Sequence, residues 1–286
     1  MNTHRFISKR VETYRYLRKF RYEKSLEQFG DCNISTYQAE IICNNLNVAY
    51  NSHPAIQDLS GTFQSGTLTA VIGPNGGGKS TLLKTIKGFI RPSSGTITCS
   101  GVALNEITYL SQSSEIDRSF PLPVRDVVAM GLCSEAGFFR RFSSSQCEKI
   151  MQALDSVGLL DCADRSLHTL SGGQFQRVLF ARMALQNASI VLLDEPFAAI
   201  DSSTMEALAL LLCEWQKQGR TIIAVLHDLD IVREFFPKTL VLARQSIAWG
   251  DTKEALTLDN LRKAKFYSRN WNSNQSDLVT SSLGQI

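Results

Sequence analysis

The stretch GPNGGGKST at residues 73–81 constrains the fold more than any other part of this sequence. It fits the pattern G-x-x-x-x-G-K-[ST] and lies between the apolar run Thr67–Ile72 and the helical pattern STLLKTIKG. A strand, a glycine-rich loop and a helix in this order present backbone N–H groups and the positive end of a helix dipole to phosphate oxygens. We therefore predict a buried strand that leads into a binding loop for a nucleotide's phosphates.

Two side chains of this loop have separate expected roles. Lys79 is expected to reach the β- and γ-phosphates of a nucleoside triphosphate, and the Ser80 hydroxyl is expected to bind Mg²⁺. The glycines let the backbone wrap phosphate oxygens without a clash from Cβ atoms. The nucleotide-binding residues expected from the loop are Gly73, Pro74, Asn75, Gly76, Gly77, Gly78, Lys79, Ser80 and Thr81.

A second candidate site lies in IVLLDEP at residues 190–196, where an apolar run ends in two carboxylates. Ligands of parallel sheets bind at the carboxyl ends of the strands. Asp194 is expected to hold Mg²⁺ through water, because this ion keeps much of its hydration shell. Glu195 is expected to accept a proton from an attacking water, a role that contributes about 10²–10⁴ in rate.

The remaining pattern indicates an α/β protein with a mostly parallel sheet. The runs SIVLLDE (189–195) and RTIIAVLHD (220–228) are predicted strands that alternate with helical patterns. Leu208, Leu211, Leu212 and Trp215 are spaced as one apolar helix face. The chain has 286 residues, of which 43 % are hydrophobic. That is enough for one large domain or two small ones with a core.

Composition limits the compartment and the partners. The seven cysteines are scattered without a CxxC pair, which indicates reduced thiols in the cytosol. No apolar run approaches the roughly 18 residues of a membrane span, and no signal peptide is evident, so we expect a soluble protein. The net charge of +3 is too small to indicate general nucleic-acid binding.

The two ends of the chain differ from the middle. Residues 1–30 carry eight Lys/Arg against three Glu, with aromatic residues interleaved. We expect residues 1–38 to be a mobile basic extension; a basic amphipathic helix on an anionic membrane or a partner is the alternative. Residues 266–286 are rich in Asn and Ser and are expected to be a disordered tail.

The segment LSGGQ at residues 170–174 opens a predicted helix and contains no obvious catalytic group. By itself it is explained either as an N-capped helix start or as a second helix N-terminus that binds an anion. Its position decides between these. In the order GPNGGGKST, Gln112, LSGGQ, LLDEP, Asp201 and His227, the sequence resembles the ATP-binding subunits of ABC transporters over roughly residues 39–265.

That resemblance implies a fold and an activity. The fold is a P-loop NTPase of the ABC type, α/β, with a mostly parallel core sheet, an antiparallel β subdomain and a helical subdomain at about 113–185. The activity is hydrolysis of ATP to ADP and phosphate, coupled to transport across a membrane, with ATP and Mg²⁺ as cofactors. Two copies would form a two-fold dimer, in which each ATP lies between the 73–81 loop of one copy and LSGGQ of the other.

The resemblance also assigns roles to single residues. Tyr50 would stack on adenine, and Gln112 would sense Mg²⁺ beside Ser80 and Asp194. Asp201 would join the two active sites, and His227 would bond the γ-phosphate as a catalytic residue together with Lys79 and Glu195. Ser171 and Gly173 would contact the γ-phosphate of the ATP bound to the other copy, and the nucleotide-binding residues expected in this segment are Ser171, Gly172, Gly173 and Gln174. Gly77 departs from the usual Ala, Ser or Cys, but this change removes no phosphate ligand.

The cargo follows from the resemblance alone. RSFPLPVRDVV (118–128) and GFFRR (137–141) look like segments of zinc and manganese importer ATPases, and residues 224–250 look most like zinc-import ATPases. This implies uptake of a divalent metal ion, zinc in particular, through a separate permease that docks on the 112–142 region. A periplasmic or extracellular metal-binding protein would be an indirect partner. The chain would then be peripheral, at the cytoplasmic face of the bacterial inner (plasma) membrane.

Three alternatives stay open at this point. The first is an ABC ATPase for import of haem, a siderophore or cobalamin. The second is an ABC ATPase without transport, such as one for iron–sulfur assembly; DNA-repair relatives insert long coiled coils before LSGGQ, and no heptads occur here. The third is a nucleic-acid-binding module that uses the basic arm, for which binding would fall steeply with salt. We expect no nucleic-acid partner.

Overall fold

A computed structural model describes residues 39–50, 53–112, 121–133, 142–186, 188–198 and 200–268. These residues form two compact units. The sheet unit comprises the described parts of Thr36–Ser114, Ala188–Ala198 and Leu212–Ile286, and the helical unit those of Glu115–Asn187 and Ala199–Leu211. The predicted extension at 1–38 and the GFFRR segment lie outside the described residues.

The strands are β1 (Glu40–Tyr50), β2 (His53–Phe63), β3 (Leu68–Ile72), β4 (Ser94–Ser100), β5 (Ile107–Leu110), β6 (Ile190–Asp194), β7 (Thr221–Val225), β8 (Lys238–Ala243) and β9 (Gln245–Asp251). The helices are α1 (Lys79–Ile86), α2 (Val124–Ala129), α3 (Ser144–Ser156), α4 (Gly172–Ala184), α5 (Ser202–Lys217), α6 (Leu229–Phe235), α7 (Thr252–Ala255) and α8, at residues 258–268. Short 3₁₀ turns occur at Leu104–Glu106, Met130–Leu132, Leu160–Cys162 and Leu167–Thr169.

The six-stranded core sheet has the order β5-β6-β7-β3-β8-β9. All neighbouring pairs are parallel except β8 and β9. Every residue of β3, β6 and β7 is buried, as continuous apolar runs predict for central strands of a sheet covered on both faces. The prediction of a mostly parallel sheet is confirmed. Because these strands point the same way, the residues that follow them gather at one edge of the sheet.

A second, antiparallel sheet of the sheet unit has the order β2-β1-β4. Its apolar side chains, such as Ile41 and Leu59, share one core cluster with Val71 and Leu240 of the core sheet. The rings of Phe63 and Trp249 lie 4.6 Å apart between centroids at the border of this cluster. The predicted antiparallel β subdomain is confirmed.

The helical unit is built from α2, α3, α4 and the start of α5. α3 begins at the N-cap Ser143, whose hydroxyl accepts a hydrogen bond from the N–H of Gln146, and the Gln146 side chain accepts one in return. Such a capping box satisfies N–H groups that a helix start leaves unpaired. This unit confirms the predicted helical subdomain.

Two sequence boundaries shift in the structure. The strand predicted at 220–228 ends at Val225, because Asp228 instead accepts hydrogen bonds from the N–H groups of Asp230 and Ile231 and caps α6. The boundary placed before residue 266 falls inside α8, which is helical to residue 268. In the part of the chain that the structure describes, no helix has both the length and the hydropathy of a membrane span.

Candidate nucleotide-binding site

A cleft of about 780 Å³ opens in the sheet unit at the edge where β3, β6 and β7 end. Residues far apart in the sequence form its wall. The lining residues are Tyr50, His53, Pro54, Ala55, Asn75, Gly76, Gly77, Gly78, Lys79, Ser80, Thr81, Gln112, Glu195, His227 and Arg244. The cleft therefore brings together most of the residues that the sequence predicted for nucleotide binding in this unit, whereas Gly73, Pro74 and Asp194 do not line it.

The glycine-rich loop connects β3 to α1, as predicted. The ammonium of Lys79 donates to the carbonyls of Gly73 (3.0 Å) and Pro74 (2.9 Å). Burial lowers the pKa of Lys79, and the carboxylates of Glu195 and Asp194 act in the opposite direction. The lysine is thus held at the floor of the cleft with its charge directed at the loop, where a phosphate chain would lie.

Close packing of β8 explains two glycines of the loop. A Cβ at Gly73 would lie 1.9 Å from the carbonyl oxygen of Leu242, and Gly73 has φ +153°. A Cβ at Gly77 would lie 2.9 Å from both Leu242 O and Pro74 O. The glycine at position 77, which departs from the family pattern, therefore fits a loop that is tight at this point.

Ser80, Tyr109 and Asp194 form a small polar cluster behind the loop. The Ser80 hydroxyl donates to Asp194 Oδ1 (3.0 Å), and the Tyr109 hydroxyl donates to Asp194 Oδ2 (3.2 Å). Burial raises the pKa of Asp194, and these two hydrogen bonds oppose the shift. A buried carboxylate beside a serine hydroxyl is an oxygen donor set that suits Mg²⁺, so the residues fit the predicted metal.

Glu195 is the centre of the catalytic group that the sequence predicted. Its Oε2 accepts from Nε2 of Gln112 (2.7 Å), and its Oε1 lies in hydrogen-bond contact with Nε2 of His227 (2.8 Å). The backbone of Glu195 has φ +51°, a left-handed conformation that is uncommon outside glycine. Strained backbone of this kind concentrates at functional sites, where it fixes the direction of a side chain.

The LSGGQ segment and Asp201 belong to the helical unit. Ser171 is the N-cap of α4: its Oγ accepts from the N–H of Gln174 (3.2 Å), and Oε1 of Gln174 accepts from the N–H of Ser171 (3.0 Å). An ideal Cβ at Gly173 would lie 3.7 Å from Oδ2 of Asp201. Both interpretations of the segment are thus compatible, because a capping hydroxyl keeps its own proton for a further acceptor.

Asp201 caps the next helix, α5. Its carboxylate accepts from the Ser203 hydroxyl and from the N–H and hydroxyl of Thr204. These hydrogen bonds, that of Ser203 first, hold the pKa of Asp201 well below its ordinary value. The aspartate is therefore held in its charged form beside LSGGQ.

Sequence reasoning missed several residues of the site. Tyr109 stands three residues before Gln112, and the β5 pattern could have placed it near the carboxylates of β6. His53, Pro54 and Ala55 at the start of β2, and Arg244 between β8 and β9, also line the cleft. No motif marks these positions, because they come together only when the antiparallel sheet packs beside the core sheet.

Comparisons with known proteins identify the family of this chain. The sequence model described as ABC transporter matches residues 56–198. The chain belongs to the ABC transporter family of ATP-binding proteins. It is an ATPase of this family, and the ABC fold implied by the sequence is confirmed.

Individual relatives cover most of the chain. The manganese transport system ATP-binding protein MntB of Bacillus subtilis is 41 % identical over 224 residues, which are 77 % of this chain and 90 % of that protein. The zinc transport system ATP-binding protein TroB of Treponema pallidum is 35 % identical over 239 residues, covering 82 % and 89 %. The solved structure of cbiO1 from Clostridium perfringens, part of the ABC transporter complex cbiONQ, has a TM-score of 0.67 at 27 % identity, covering 84 % and 99 %.

Proposed function

We propose that this ATPase powers the import of a divalent metal ion as a dimer in which ATP joins two copies. The observation that supports the proposal is the convergence of Gln112, Glu195 and His227 beside the phosphate loop of one cleft. The capped start of α4 at Ser171 is the second phosphate-binding element. Each γ-phosphate would meet the Ser171–Gln174 segment of the other copy, so that neither copy has a complete reaction centre.

Hydrolysis in this arrangement depends on positioning and charge. Glu195 would orient the attacking water and accept its proton, with its carboxylate held by Gln112. Lys79 would stabilise charge on the γ-phosphoryl group, and His227 would donate a hydrogen bond to it. Tyr50, which is 46 % exposed at the rim of the cleft, would stack on adenine, a contact worth about 1 kcal/mol.

Mg²⁺ would be held by Ser80 and Asp194, with Gln112 at its side. When bound, the ion neutralises charge on the phosphate oxygens. Tyr109 supports this site by fixing the second oxygen of Asp194. Titration of nucleotide binding against Mg²⁺ should separate wild type from Asp194→Asn, which keeps the shape of the side chain but lacks its charge.

Metal cargo is supported by relatives from both manganese and zinc systems. These relatives support manganese and zinc equally as the cargo. The choice of zinc stays a prediction from the resemblance. We propose that ATP binding closes the dimer and that hydrolysis reopens it, and that this cycle moves a permease between its two facing states. The peripheral position at the cytoplasmic face of the membrane, and an indirect partner that binds metal outside, belong to the same proposal.

The permease would dock on the 112–142 region, of which the described part includes residues 121–133. Pro121 is exposed, and Leu122 and Pro123 are half-buried, in the segment before α2. Met130 and Met151 of the same unit are exposed large apolar residues at 37 % and 39 %. A contiguous exposed apolar patch marks a protein-docking surface, and the exposed Pro121 and Met130 of this region are compatible with one. We place the ABC domain at residue 39 to at least residue 268, including this helical part at about 113–185.

Complementation between two inactive variants tests the shared reaction centre. Lys79→Ala disables the phosphate loop, and Ser171→Arg blocks the segment that would meet the partner's γ-phosphate. A mixed dimer of the two has one site with both defects and one site with neither. We expect each variant alone to be inactive and the mixture to regain phosphate release. If the mixture stays inactive although mixed dimers form, the shared site is refuted.

The cargo is tested in a deletion strain. Wild type, but not Glu195→Gln, should restore uptake of labelled zinc or manganese, measured for each metal in separate assays. Restoration by manganese alone would correct zinc to manganese. Restoration by haem, a siderophore or cobalamin, with neither metal taken up, would contradict the metal proposal and support the first alternative.

A further inference from the structure

Arg244 is a residue of the cleft that belongs to none of the sequence motifs. It stands at the turn between β8 and β9, directly after Ala243, and its backbone has φ +63°. Its side chain lines the cleft together with Tyr50 and Pro54. A non-glycine residue in the left-handed conformation is uncommon, and it is retained where the surroundings determine the backbone.

The backbone of Arg244 connects the phosphate loop to β2. Its N–H donates to the carbonyl of Gly77 (2.8 Å), and its carbonyl accepts from the N–H of Gln57 (2.8 Å). The carbonyl oxygen of Leu242, two residues before it, is one of the two atoms that crowd a Cβ at Gly77. The turn is therefore an integral support of the loop.

The side chain of Arg244 acts on the other wall of the same cleft. Its Nη1 donates to the carbonyl of Pro54, at the start of β2. Burial lowers the pKa of the guanidinium, but an arginine stays charged at neutral pH. Among the described lining residues, Arg244 and Lys79 are the lysine and arginine side chains. A planar guanidinium carries five N–H groups, so it can bond a backbone carbonyl and a ligand together.

We propose that Arg244 is a nucleotide-positioning residue that acts on the base and ribose end of the adenine nucleotide. Tyr50 and Pro54 place the guanidinium at the end of the cleft where the aromatic ring would receive adenine, whereas Lys79 serves the phosphates. Arg244 fixes the β2 wall through Pro54, and its guanidinium would bond the nucleoside from this position beside the cleft. This inference rests on the proposed nucleotide site and adds a residue to it.

The left-handed backbone makes a clean test feasible. Arg244→Gly removes the guanidinium at a position where glycine adopts the required φ without strain, so the bonds to Gly77 and Gln57 can persist. Arg244→Gln keeps a long polar side chain and the same strain of a non-glycine residue at positive φ. Arg244→Lys keeps the charge but lacks the planar guanidinium. Arg233→Gln is the matched control, since Arg233 is exposed on α6 and pairs with Asp230 at 3.2 Å.

The measurements are the dissociation constants of ATP and ADP, kcat and KM, and the melting temperature of each variant. We expect Arg244→Gly and Arg244→Gln to weaken ATP and ADP binding by the same factor, at least about tenfold, because loss of a charged hydrogen-bond partner typically costs that much. KM should rise with kcat within about twofold of wild type, and Arg244→Lys should be intermediate. The control should bind like wild type.

Three results would overturn the inference: unchanged ADP affinity in both variants, a selective loss for ATP, or a fall in kcat with unchanged KM. A lowered melting temperature with normal affinity would show a structural role only. The proposed function is judged separately by Lys79→Ala. If that change weakens ATP binding and the Arg244 variants do not, the nucleotide site stands and Arg244 has no part in it.

Discussion

Replacement of Glu195 by glutamine is the sharpest test of the reaction centre. The carboxylate of Glu195 bonds Gln112 at 2.7 Å and His227 at 2.8 Å. Glutamine has the same shape, so its amide can keep at least one of these contacts, but its oxygen is a far weaker base. Loss of a general base lowers turnover by about 10²–10⁴, equivalent to about 3–5 kcal/mol in the barrier.

The affinity for ATP, unlike turnover, should not fall in Glu195→Gln. The carboxylate of Glu195 lines the cleft and acts on the charge of Lys79, so it also repels an incoming triphosphate. Its neutralisation should therefore leave ATP affinity unchanged or raise it. Fluorescent ATP measures binding, phosphate release under saturating ATP measures turnover, and light scattering measures the mass of the ATP-loaded form, which we expect to be dimeric.

Glu234→Gln is the isosteric control, because Glu234 is exposed on α6 and lines no part of the cleft. It should have wild-type turnover. Turnover of Glu195→Gln within about tenfold of wild type would remove Glu195 from the role of general base. A monomer at saturating ATP would refute the idea that nucleotide joins two copies.

Further predictions concern Ser171, Asp201 and Tyr109. Ser171→Arg should abolish hydrolysis while a nucleotide analogue still binds; retained activity would contradict the composite site. Asp201→Ala removes the cap at Thr204 and should lower the unfolding free energy by about 1 kcal/mol at pH 7. Because the folded pKa of Asp201 lies below the ordinary value of 3.8, this difference should be full above pH 5 and should shrink as the pH falls below about 4. A gap in melting temperature that grows in acid would disprove the assignment. Tyr109→Phe deletes a hydrogen bond to the buried Asp194 and should cost about 1–2 kcal/mol in urea unfolding; an unchanged midpoint would show that this contact contributes nothing.

The parts of the fold that the sequence predicted are those with a strong local signal. The continuous apolar runs before residues 73 and 194 are buried strands, and Leu208, Leu212 and Trp215 are buried along one helix, as their spacing predicts. The end of β7 was predicted three residues too late. Leu226 is buried and its N–H still donates to Val71 O, so the apolar sequence extends beyond the end of the strand. Asp228, two residues later, is already the N-cap of α6.

The sequence predicts the site residues that belong to a motif. It does not predict the residues that reach the site only through long-range contacts in the folded chain. Gln112 and Glu195 are 83 residues apart and still share a hydrogen bond, which a family pattern implies but no periodicity can show. The left-handed backbone of Glu195 has no sequence signal, because glutamate rarely adopts it. Arg244 reaches Pro54 across 190 residues, and only the register of two sheets brings them together.

The reciprocal bonds of Ser171 and Gln174 have a consequence for the stability of the proposed dimer. They hold the segment in one conformation within a single copy, before any second copy arrives. A flexible segment of this length would lose about 1–2 kcal/mol of conformational entropy per residue on meeting its ligand. Preorganisation removes most of this loss, so in the proposed dimer more of the binding energy of each nucleotide would remain to hold the two copies together.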